Sequence, residues 1–394
     1  MLDGEKWTCS SGRYFRSLGH MTTMTSNATA ILDEAYQRLH QTGPEFEGWL
    51  SNHGPMAAEA MTRHGHAEDV HPWLDGYIRR LEDFPRGTGP VGADWQQALG
   101  DPRRIADWTA FFRAQTAAQP WRQVLATWWP RLLPGLAAAA THGIIRVGHA
   151  VRALLADGDD PDHVTELAHG LAYWAARWQP IPGAKGTEGA GTQRRPSPTI
   201  PGTSGDRPVL TPAAALASVP RIASQSGGIQ ERLTQLAGLA GWSAALAAPL
   251  LPRSPDEARE WLAGLTHAGV ARYLDYGHGS PVMLVHAATA PTAVLRILPA
   301  LDRDLWAPSA AAAWDAAAAL TAIYAPPGPA PLEALPAAPD GPGAVDETFA
   351  RAVGHGDEHV IKFADAAVDV HVRTGDPAAL AAAVRAIELT PRPA

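Results

Sequence analysis

Helix-forming segments separated by Gly and Pro restrict this chain to a helical fold. Apolar residues recur at three- and four-residue steps through most of the sequence, whereas the alternating β-branched runs that mark strands are scarce. This pattern predicts an all-α protein of roughly a dozen or more helices. The predicted helices are 28–41, 55–65, 69–82, 92–99, 103–115, 118–128, 130–156, 160–178, 210–218, 227–248, 254–278, 281–299, 308–323, 343–373 and 376–388.

Three segments without helical periodicity set the predicted organisation. Residues 1–26 are predicted to be a disordered extension, which leaves 27–394 as one all-α domain. The stretch 179–208 is rich in Pro, Gly, Ser and Thr and is predicted to be a long surface loop, and 325–343 is a Pro-rich connector. Two helical lobes could divide near 180–210. Because candidate histidines occur on both sides of that loop, we expect a single functional unit with a metal site between helices.

Composition and charge exclude several classes of function. The 394 residues carry 32 Lys plus Arg against 40 Asp plus Glu, a formal net charge of −8, so we expect no nucleic-acid partner. The start of the chain lacks the pattern of a secretory signal, and the alanine-rich runs 136–140 and 310–321 are too short for a membrane span of about 20 residues. The single cysteine, Cys9, cannot form an internal disulfide. A cytoplasmic protein without a membrane partner is expected.

Lysine is almost absent, so each lysine is informative. The 32 basic residues include only three lysines, Lys6, Lys185 and Lys362, and the other 29 are arginines. Lys362 lies in HVIKFADAAVDV, an apolar helix-like stretch in which a hydrated ammonium is costly. Burial would leave a neutral amine that can act as a nucleophile, form a Schiff base or take up carbon dioxide as a carbamate. An ion pair with Asp365 or Glu358 is the alternative.

Motifs for nucleotide binding and for serine or cysteine nucleophiles give little signal. The Gly-rich GAKGTEGAG at 183–191 follows no predicted strand and opens no predicted helix, and neither GxxxxGK[ST] nor GxSxG occurs in the sequence. Cys9 lies in the aperiodic start and is a poor candidate nucleophile. The histidines therefore carry most of the remaining chemical information.

Five of the 16 histidines occur in apolar, helix-forming sequence, where a neutral imidazole needs a partner. They are His53, His142, His149, His286 and His359. Any one of them could be a core histidine bonded to a carbonyl or carboxylate, but together they indicate a metal site with nitrogen and oxygen ligands. Seven others stand beside polar or loop residues and are expected to be solvated or to cap helices: His20, His40, His64, His66, His71, His163 and His278.

Spacing limits which of these residues can share one centre. His359 and Lys362 are three apart, so on a helix they lie on the same face. His142 and His149 are seven apart, which places them roughly 10.5 Å apart along a helix axis. Both could bind one metal only with long-reach rotamers or with a bend at one of the glycines near them.

Long motifs in the chain resemble the questin oxidase-like family. They are NHGPM at 52–56, THGIIRVGHAVRAL at 141–154, LAYWAARW at 171–178, GSPVMLVHAATAP at 279–291 and GDEHVIKFADAA at 356–367. The likeness runs from about residue 28 to the end, apart from the loop at 183–208. It implies an all-α oxygenase that uses dioxygen to open a ring of an aromatic polyketide such as an anthraquinone. Baeyer–Villiger-like ring opening with NADPH consumption is the usual description of that reaction.

The resemblance also implies a site for nonheme Fe(II), held by four histidines and a carboxylated lysine. By motif the lysine is Lys362, with carbon dioxide taken up as its carbamate, and the histidines come from the five named above. Lys362 and His359 are the residues expected at the catalytic centre, and His142 with His149 is the least secure pair of ligands. Nitrogen and oxygen donors alone would also accept Zn, Mn, Ni or Cu. Without a nucleotide-binding motif, NADPH is expected to act as an external reductant, with a possible reductase partner.

Three functions stay open from the sequence. In the oxygenase, Asn52, Arg146, Trp129 and Tyr276 are expected beside the metal ligands or against a flat aromatic substrate, although core packing or an ion pair would also explain them. A zinc hydrolase could use the same histidines and carbamate to activate water. A non-catalytic helical binding protein would use the histidines structurally. The natural substrate and the oligomeric state stay open.

Overall fold

The computed structural model describes residues 27–184, 210–249 and 252–393, and most of them are helical. The predicted extension 1–26 and most of the predicted loop 179–208 lie outside the described residues. The prediction of an all-α protein is confirmed. The helices are, in chain order, α1 (27–40), α2 (Gly54–Arg63), α3 (Ala67–Tyr77), α4 (Ile105–Ala118), α5 (Trp121–Leu132), α6 (His142–Asp157), α7 (Pro161–Ala176), α8 (Pro212–Ala217), α9 (Ile229–Thr234), α10 (Trp242–Leu246), α11 (Pro255–Tyr276), α12 (Pro281–Leu284), α13 (His286–Ile297), α14 (Trp306–Tyr324), α15 (Ala344–His355), α16 (Glu358–Thr374) and α17 (Pro377–Leu389).

A small antiparallel hairpin connects α1 to α2. Its strands are β1 (Glu45–Phe46) and β2 (Leu50–Ser51). The backbone N–H of Asn52 donates a hydrogen bond of 2.8 Å to the carbonyl of Pro44 at the base of this hairpin. The hairpin thereby fixes the chain just before α2 begins. Farther along, the connector 325–343 is irregular apart from a short 3₁₀ turn at Leu332–Ala334.

Helices α6 and α13 lie in contact at the centre of the fold. Helix α6 also packs against α2 and α7, and α13 also packs against α11, α14 and α16. Their close approach depends on Gly148, because a Cβ at that position would lie 2.6 Å from the Cβ of Ala293. On another face of α6, a Cβ at Gly143 would lie 2.8 Å from the Cα of Trp174. Both glycines serve helix contact within one unbroken helix, and neither marks a bend.

We expect Gly148→Ala to lower the free energy of unfolding by about 1–3 kcal/mol, because the added methyl overpacks the contact with α13. Gly76→Ala on α3 is the matched control, since a Cβ there meets nothing within 4 Å. Alanine is the better helix former, so the control should gain up to about 1 kcal/mol. Urea unfolding of the two variants measures both changes. A gain in stability for Gly148→Ala would contradict the close contact.

The predicted helix 130–156 is interrupted, because the chain makes a left-handed turn before α6. Ala139, Ala140 and Thr141 have φ values of 45°, 56° and 69°. Left-handed backbone costs an L-residue roughly 1–2 kcal/mol, so three such residues in succession form a strained turn. Strain of this kind is concentrated at functional sites, where the surrounding structure holds it. The turn ends directly at His142.

The predicted helix 343–373 is also interrupted, between α15 and α16. Gly356 ends α15 with a φ of 88°, a left-handed conformation that favours glycine. Asp357 then caps α16, and its Oδ1 accepts hydrogen bonds from the backbone N–H groups of His359 at 2.8 Å and Val360 at 3.2 Å. The continuous helix was the wrong prediction because this Gly-Asp pair combines a C-terminal stop with an N-terminal cap.

One described stretch, Pro281–Ala300, is long and apolar enough to cross a membrane. It comprises α12, α13 and a following 3₁₀ turn. Most of it is buried inside the fold, where α13 packs against several other helices. A buried position of this kind is that of a core helix.

Candidate metal centre

Four histidines from distant parts of the sequence meet at one point. His53 immediately precedes α2, His142 and His286 are the first residues of α6 and α13, and His359 is the second residue of α16. Side chains in a helix tilt towards its N-terminus, so a histidine in the first turn reaches beyond the helix end. One ring nitrogen from each histidine lies within 4.8 Å of the others. The arrangement offers four imidazole nitrogens to a single ion.

The centre is largely closed to solvent. His53, His142 and His286 are at most 7% exposed, and the side chain of His359 is 12% exposed. Burial lowers the pKa of His53, of His142 and of His286 well below the usual value, and the nearby ammonium of Lys362 lowers these pKa values further. Neutral imidazole is the form that binds metal ions. The site therefore keeps these three rings ready for coordination.

The hydrogen bonds of the rings leave two lone pairs facing each other. Nδ1 of His142 contacts the carbonyl of Ala139, and Nδ1 of His286 lies 3.1 Å from the carbonyl of Met283. A carbonyl only accepts, so each Nδ1 must carry the proton and each Nε2 must carry a lone pair. These two Nε2 atoms are 2.9 Å apart. Without a cation between them they repel each other, and a shared metal ion removes that conflict.

His53, the residue before α2, reaches the same point. Its Nε2 is 2.7 Å from Nε2 of His142. Its Nδ1 has no hydrogen-bond partner within the described part of the chain and lies 3.9 Å from Oε1 of Glu358. The ring centroids of His53 and His359 are 4.4 Å apart. The four rings therefore form one compact cluster, which we call the four-histidine centre: His53, His142, His286 and His359.

Lys362 lies one helical turn after His359 and is 1% exposed. Its Nζ has no hydrogen-bond partner among the described residues. Burial lowers the pKa of Lys362 to about 7, against the opposing effect of the carboxylates of Glu358 and Asp357. The two carboxylates that could have paired with Lys362 pair with arginines instead. Glu358 pairs with Arg80 at 2.9 Å, and Asp365 pairs with two other arginines. A buried amine without a partner, close enough to His53, His142 and His286 to lower their pKa values, calls for a chemical explanation.

His149, the fifth candidate, lies outside the four-histidine centre. Its Nδ1 is 2.7 Å from Oε2 of Glu59, and its Nε2 is 4.0 Å from Oδ2 of Asp365. His149 lies seven residues after His142 on α6, which is roughly 10.5 Å farther along the helix axis. Its ring is therefore held by the carboxylate of Glu59, as a core histidine often is.

The carboxylates around His149 belong to a buried ionic network that the sequence did not reveal. Arg152 bridges Glu59 and Asp365, with Nη1 at 2.8 Å from Oδ1 of Asp365. Arg296 reaches the other oxygen of Asp365 at 2.7 Å. The arginines hold the pKa of Asp365 well below its usual value despite burial. The available signal was the charged residues within apolar helical sequence, such as AAEAM around Glu59.

Asn52 and Arg146 hold the surroundings of the centre. The amide of Asn52 donates to the carbonyl of Gly43 at 3.2 Å and accepts from the N–H of Gly54 at 2.9 Å, which fixes the turn that carries His53. Arg146, one turn after His142, forms a buried two-pronged pair with Glu166 at 2.5 and 2.8 Å. Both residues line one small cleft with a cavity volume of about 10 Å³. Phe84, His169 and Tyr173 also line it.

Trp129 and Tyr276 lie in other parts of the fold. Trp129 is fully buried, donates from Nε1 to Oγ of Ser309 at 2.8 Å and packs edge-on against Trp174. Tyr276 ends α11 and carries the guanidinium of Arg272 over its ring at 3.9 Å. It lines a second cleft, formed by α11 with α12, α13 and α14. In this structure Trp129 makes core packing contacts, and Tyr276 makes a cation–π contact.

Several histidines expected to be solvated or to cap helices are instead buried or held by acidic groups. His163 is fully buried, with Tyr36 packed edge-on against its ring at 5.5 Å. Nε2 of His64 is 2.9 Å from Asp365, and Nε2 of His40 is 2.9 Å from Glu166. The expectation of a solvated ring was wrong for His163, because the polar sequence around it gave no sign that α1 covers it. His20 lies outside the described residues.

Comparison with models of protein families gives a match. The model of the questin oxidase-like family matches residues 77–367, most of the chain. No curated protein and no solved structure matches the chain. The matched range contains Lys362 and three members of the four-histidine centre, whereas His53 precedes it. The chain therefore belongs to the questin oxidase-like family, and this membership points to an oxygenase that acts on aromatic polyketides.

Proposed function

We propose that this protein is a nonheme iron oxygenase that uses dioxygen to cleave a ring of a polycyclic aromatic polyketide such as an anthraquinone. One observation carries the proposal: the Nε2 atoms of His142 and His286 lie 2.9 Å apart in a closed site, and the contacts of each Nδ1 with a carbonyl assign a lone pair to both. A pair of structural histidines would share a proton or point apart. Two further imidazoles at the same point make a metal ion the natural occupant.

The residues present fit an iron ion. His53, His142, His286 and His359 would supply four neutral nitrogen ligands, and Lys362 would supply an oxygen ligand as its carbamate. When bound, ferrous iron supplies the one-electron chemistry with dioxygen that side chains lack. The protein supplies orientation, charge and a dry cavity. Zinc fits the same donors, and a zinc hydrolase is then the competing function.

Lys362 supports the carbamate because its amine is buried and unpaired. Carbamate formation joins the lysine nitrogen to the carbon of carbon dioxide and releases one proton. The product carries a negative charge, which offsets the charge of a divalent metal, because an imidazole ligand brings none. The positive ends of α6, α13 and α16 also converge on the centre and favour an anion there.

The chain's other residues would position the aromatic substrate. His359 is the most exposed of the four clustered histidines, so we propose that substrate and dioxygen approach on its side. Burial of the other three rings keeps water from the reacting atoms. Asn52 and Arg146 would hold the turn at His53 and the first turns of α6, and thereby act as positioning residues.

We also propose a cytoplasmic enzyme that receives electrons from NADPH through a separate reductase.

Oxygen consumption tests the proposed reaction. We expect the iron-loaded protein, supplied with a chemical reductant in place of NADPH and the reductase, to consume dioxygen above the reductant's background only in the presence of a reduced anthraquinone or related polycyclic phenol, with a ring-opened product detected by mass spectrometry. The matched control is the same protein loaded with zinc, which should consume no dioxygen. Hydrolysis of an ester or lactone by the zinc form, without oxygen uptake by the iron form, would instead favour the hydrolase.

A further inference from the structure

Acidic residues in the turn before α7 lie against α1, although the two segments are far apart in the sequence. The segment DGDDPDH occupies residues 157–163. From this segment Asp160 and His163 meet Asp33 of α1, and one ligand atom of each lies within 4.8 Å of the others. We call these three residues the α1–α7 cluster. None of them belongs to the four-histidine centre.

His163 is the feature of this cluster that ordinary packing does not explain. Its side chain is fully buried. Nδ1 has no hydrogen-bond partner within the described ranges, and Nε2 lies 3.0 Å from Oδ1 of Asp33, within ion-pair distance. Burial without a partner is unusual for a polar nitrogen such as Nδ1. The ring also lies close to the carboxylate of Asp160.

Helix capping and hydrogen bonding use only some of the carboxylate oxygens in this segment. Asp160 caps α7 through one oxygen, which accepts from the N–H of Asp162 at 2.8 Å. Asp162 accepts from Nε2 of Gln37 on α1 at 2.7 Å. Among the described residues, the second oxygen of Asp160 accepts no comparable hydrogen bond, and the carboxylate of Asp33 contacts the ring of His163. The cluster therefore retains free oxygen ligands beside the buried ring.

The charge of the cluster is also unbalanced. Asp33, Asp160 and Asp162 bring three carboxylates together, and no Arg or Lys of the described residues lies within ion-pair distance of Asp33 or Asp160. The positive end of α7 offsets roughly half a charge. A divalent cation would neutralise the remaining charge and coordinate the imidazole of His163.

We propose that Asp33, Asp160 and His163 bind a divalent transition-metal ion of the zinc class. Two carboxylate oxygens with one imidazole nitrogen form a donor set that zinc accepts, with water in the remaining position. The imidazole disfavours Mg²⁺ and Ca²⁺, which prefer oxygen ligands. Asp33 is 22% exposed, so the site has an opening for the ion and its water. The ion would join α1 to α7 and stabilise the first described helix.

Zinc stoichiometry tests this second site. Protein purified with a chelator is equilibrated with Zn²⁺, and bound zinc is measured by elemental analysis together with the shift in thermal midpoint. We expect Asp33→Asn and His163→Gln to bind one Zn²⁺ fewer per chain than the wild type and to lose the zinc-dependent rise of the midpoint. Asp157→Asn removes an exposed acid from the same segment and should behave as the wild type.

The outcome is independent of the four-histidine centre. In a His286→Ala background, adding Asp33→Asn should still remove one bound Zn²⁺ per chain, even if the proposed iron site is wrong. Because Asp33 is partly exposed, Asp33→Asn should fold even if His163→Gln does not. Equal zinc binding by the wild type and Asp33→Asn, with the same midpoint shift, would overturn the proposal.

Discussion

We expect Lys362→Met to lose the bound iron and to lower turnover by about 10³-fold or more. Methionine keeps a long, unbranched side chain in the buried position but cannot form a carbamate. The centre would then have four neutral ligands and no negative charge to offset the ion. Metal chemistry contributes several kcal/mol to such a reaction, and each 1.36 kcal/mol is tenfold in rate. Iron content and oxygen uptake, measured on the same samples, give the two effects.

Chemical rescue separates the carbamate from simple packing. A short carboxylic acid such as acetate should restore part of the iron binding and turnover of Lys362→Ala, because it can occupy the space and supply the missing oxygen ligand. The same acid should not restore His286→Ala, which lacks a nitrogen ligand. If Lys362→Met retained iron and turnover, Lys362 would be a structural residue and the carbamate would be excluded.

We expect Arg152→Met to destabilise the protein by about 3–5 kcal/mol, because removing one partner of a buried ionic network leaves charge without compensation. Arg152 joins Glu59 and Asp365, which are 1% and 0% exposed. The expected loss is a large share of the roughly 5–15 kcal/mol by which domains are stable. Denaturant unfolding, followed by circular dichroism, measures the change.

The control for that variant is an exposed ion pair of the same kind. Arg303 pairs with Asp256 at 2.7 Å, and the two side chains are 58% and 79% exposed. Arg303→Met should change stability by less than about 1 kcal/mol, because solvent screens such pairs. If both variants lost the same small free energy of unfolding, the buried network of Arg152, Glu59 and Asp365 would not be a determinant of stability.

The sequence was sufficient for the fold class because helical periodicity is local. The two interrupted helices show where local patterns reach their limit. At Gly356 and Asp357 the stop and cap were present in the sequence and could have been recognised. At Ala139, Ala140 and Thr141 no residue type signals a left-handed turn. Tertiary packing imposes that conformation, and alanine is among the best helix formers.

The candidate site was predicted in part, for similar reasons. Apolar context indicated five histidines but could not separate the four that converge from His149. That distinction depends on the orientation of each helix and on Glu59, which holds His149 although the two residues are 90 apart in the sequence. His163 shows the converse case, in which polar neighbours concealed a buried ring. Lys362 could be identified early because a lysine in apolar sequence is costly wherever the helix packs.

The iron content of protein purified without added metal or chelator tests the central claim most directly. The wild type should carry one iron per chain, and His286→Ala, which removes one of the two facing Nε2 atoms, should carry none while keeping its helical circular dichroism. Iron absent from the wild type, or retained in full by His286→Ala, would contradict an iron site at the four-histidine centre.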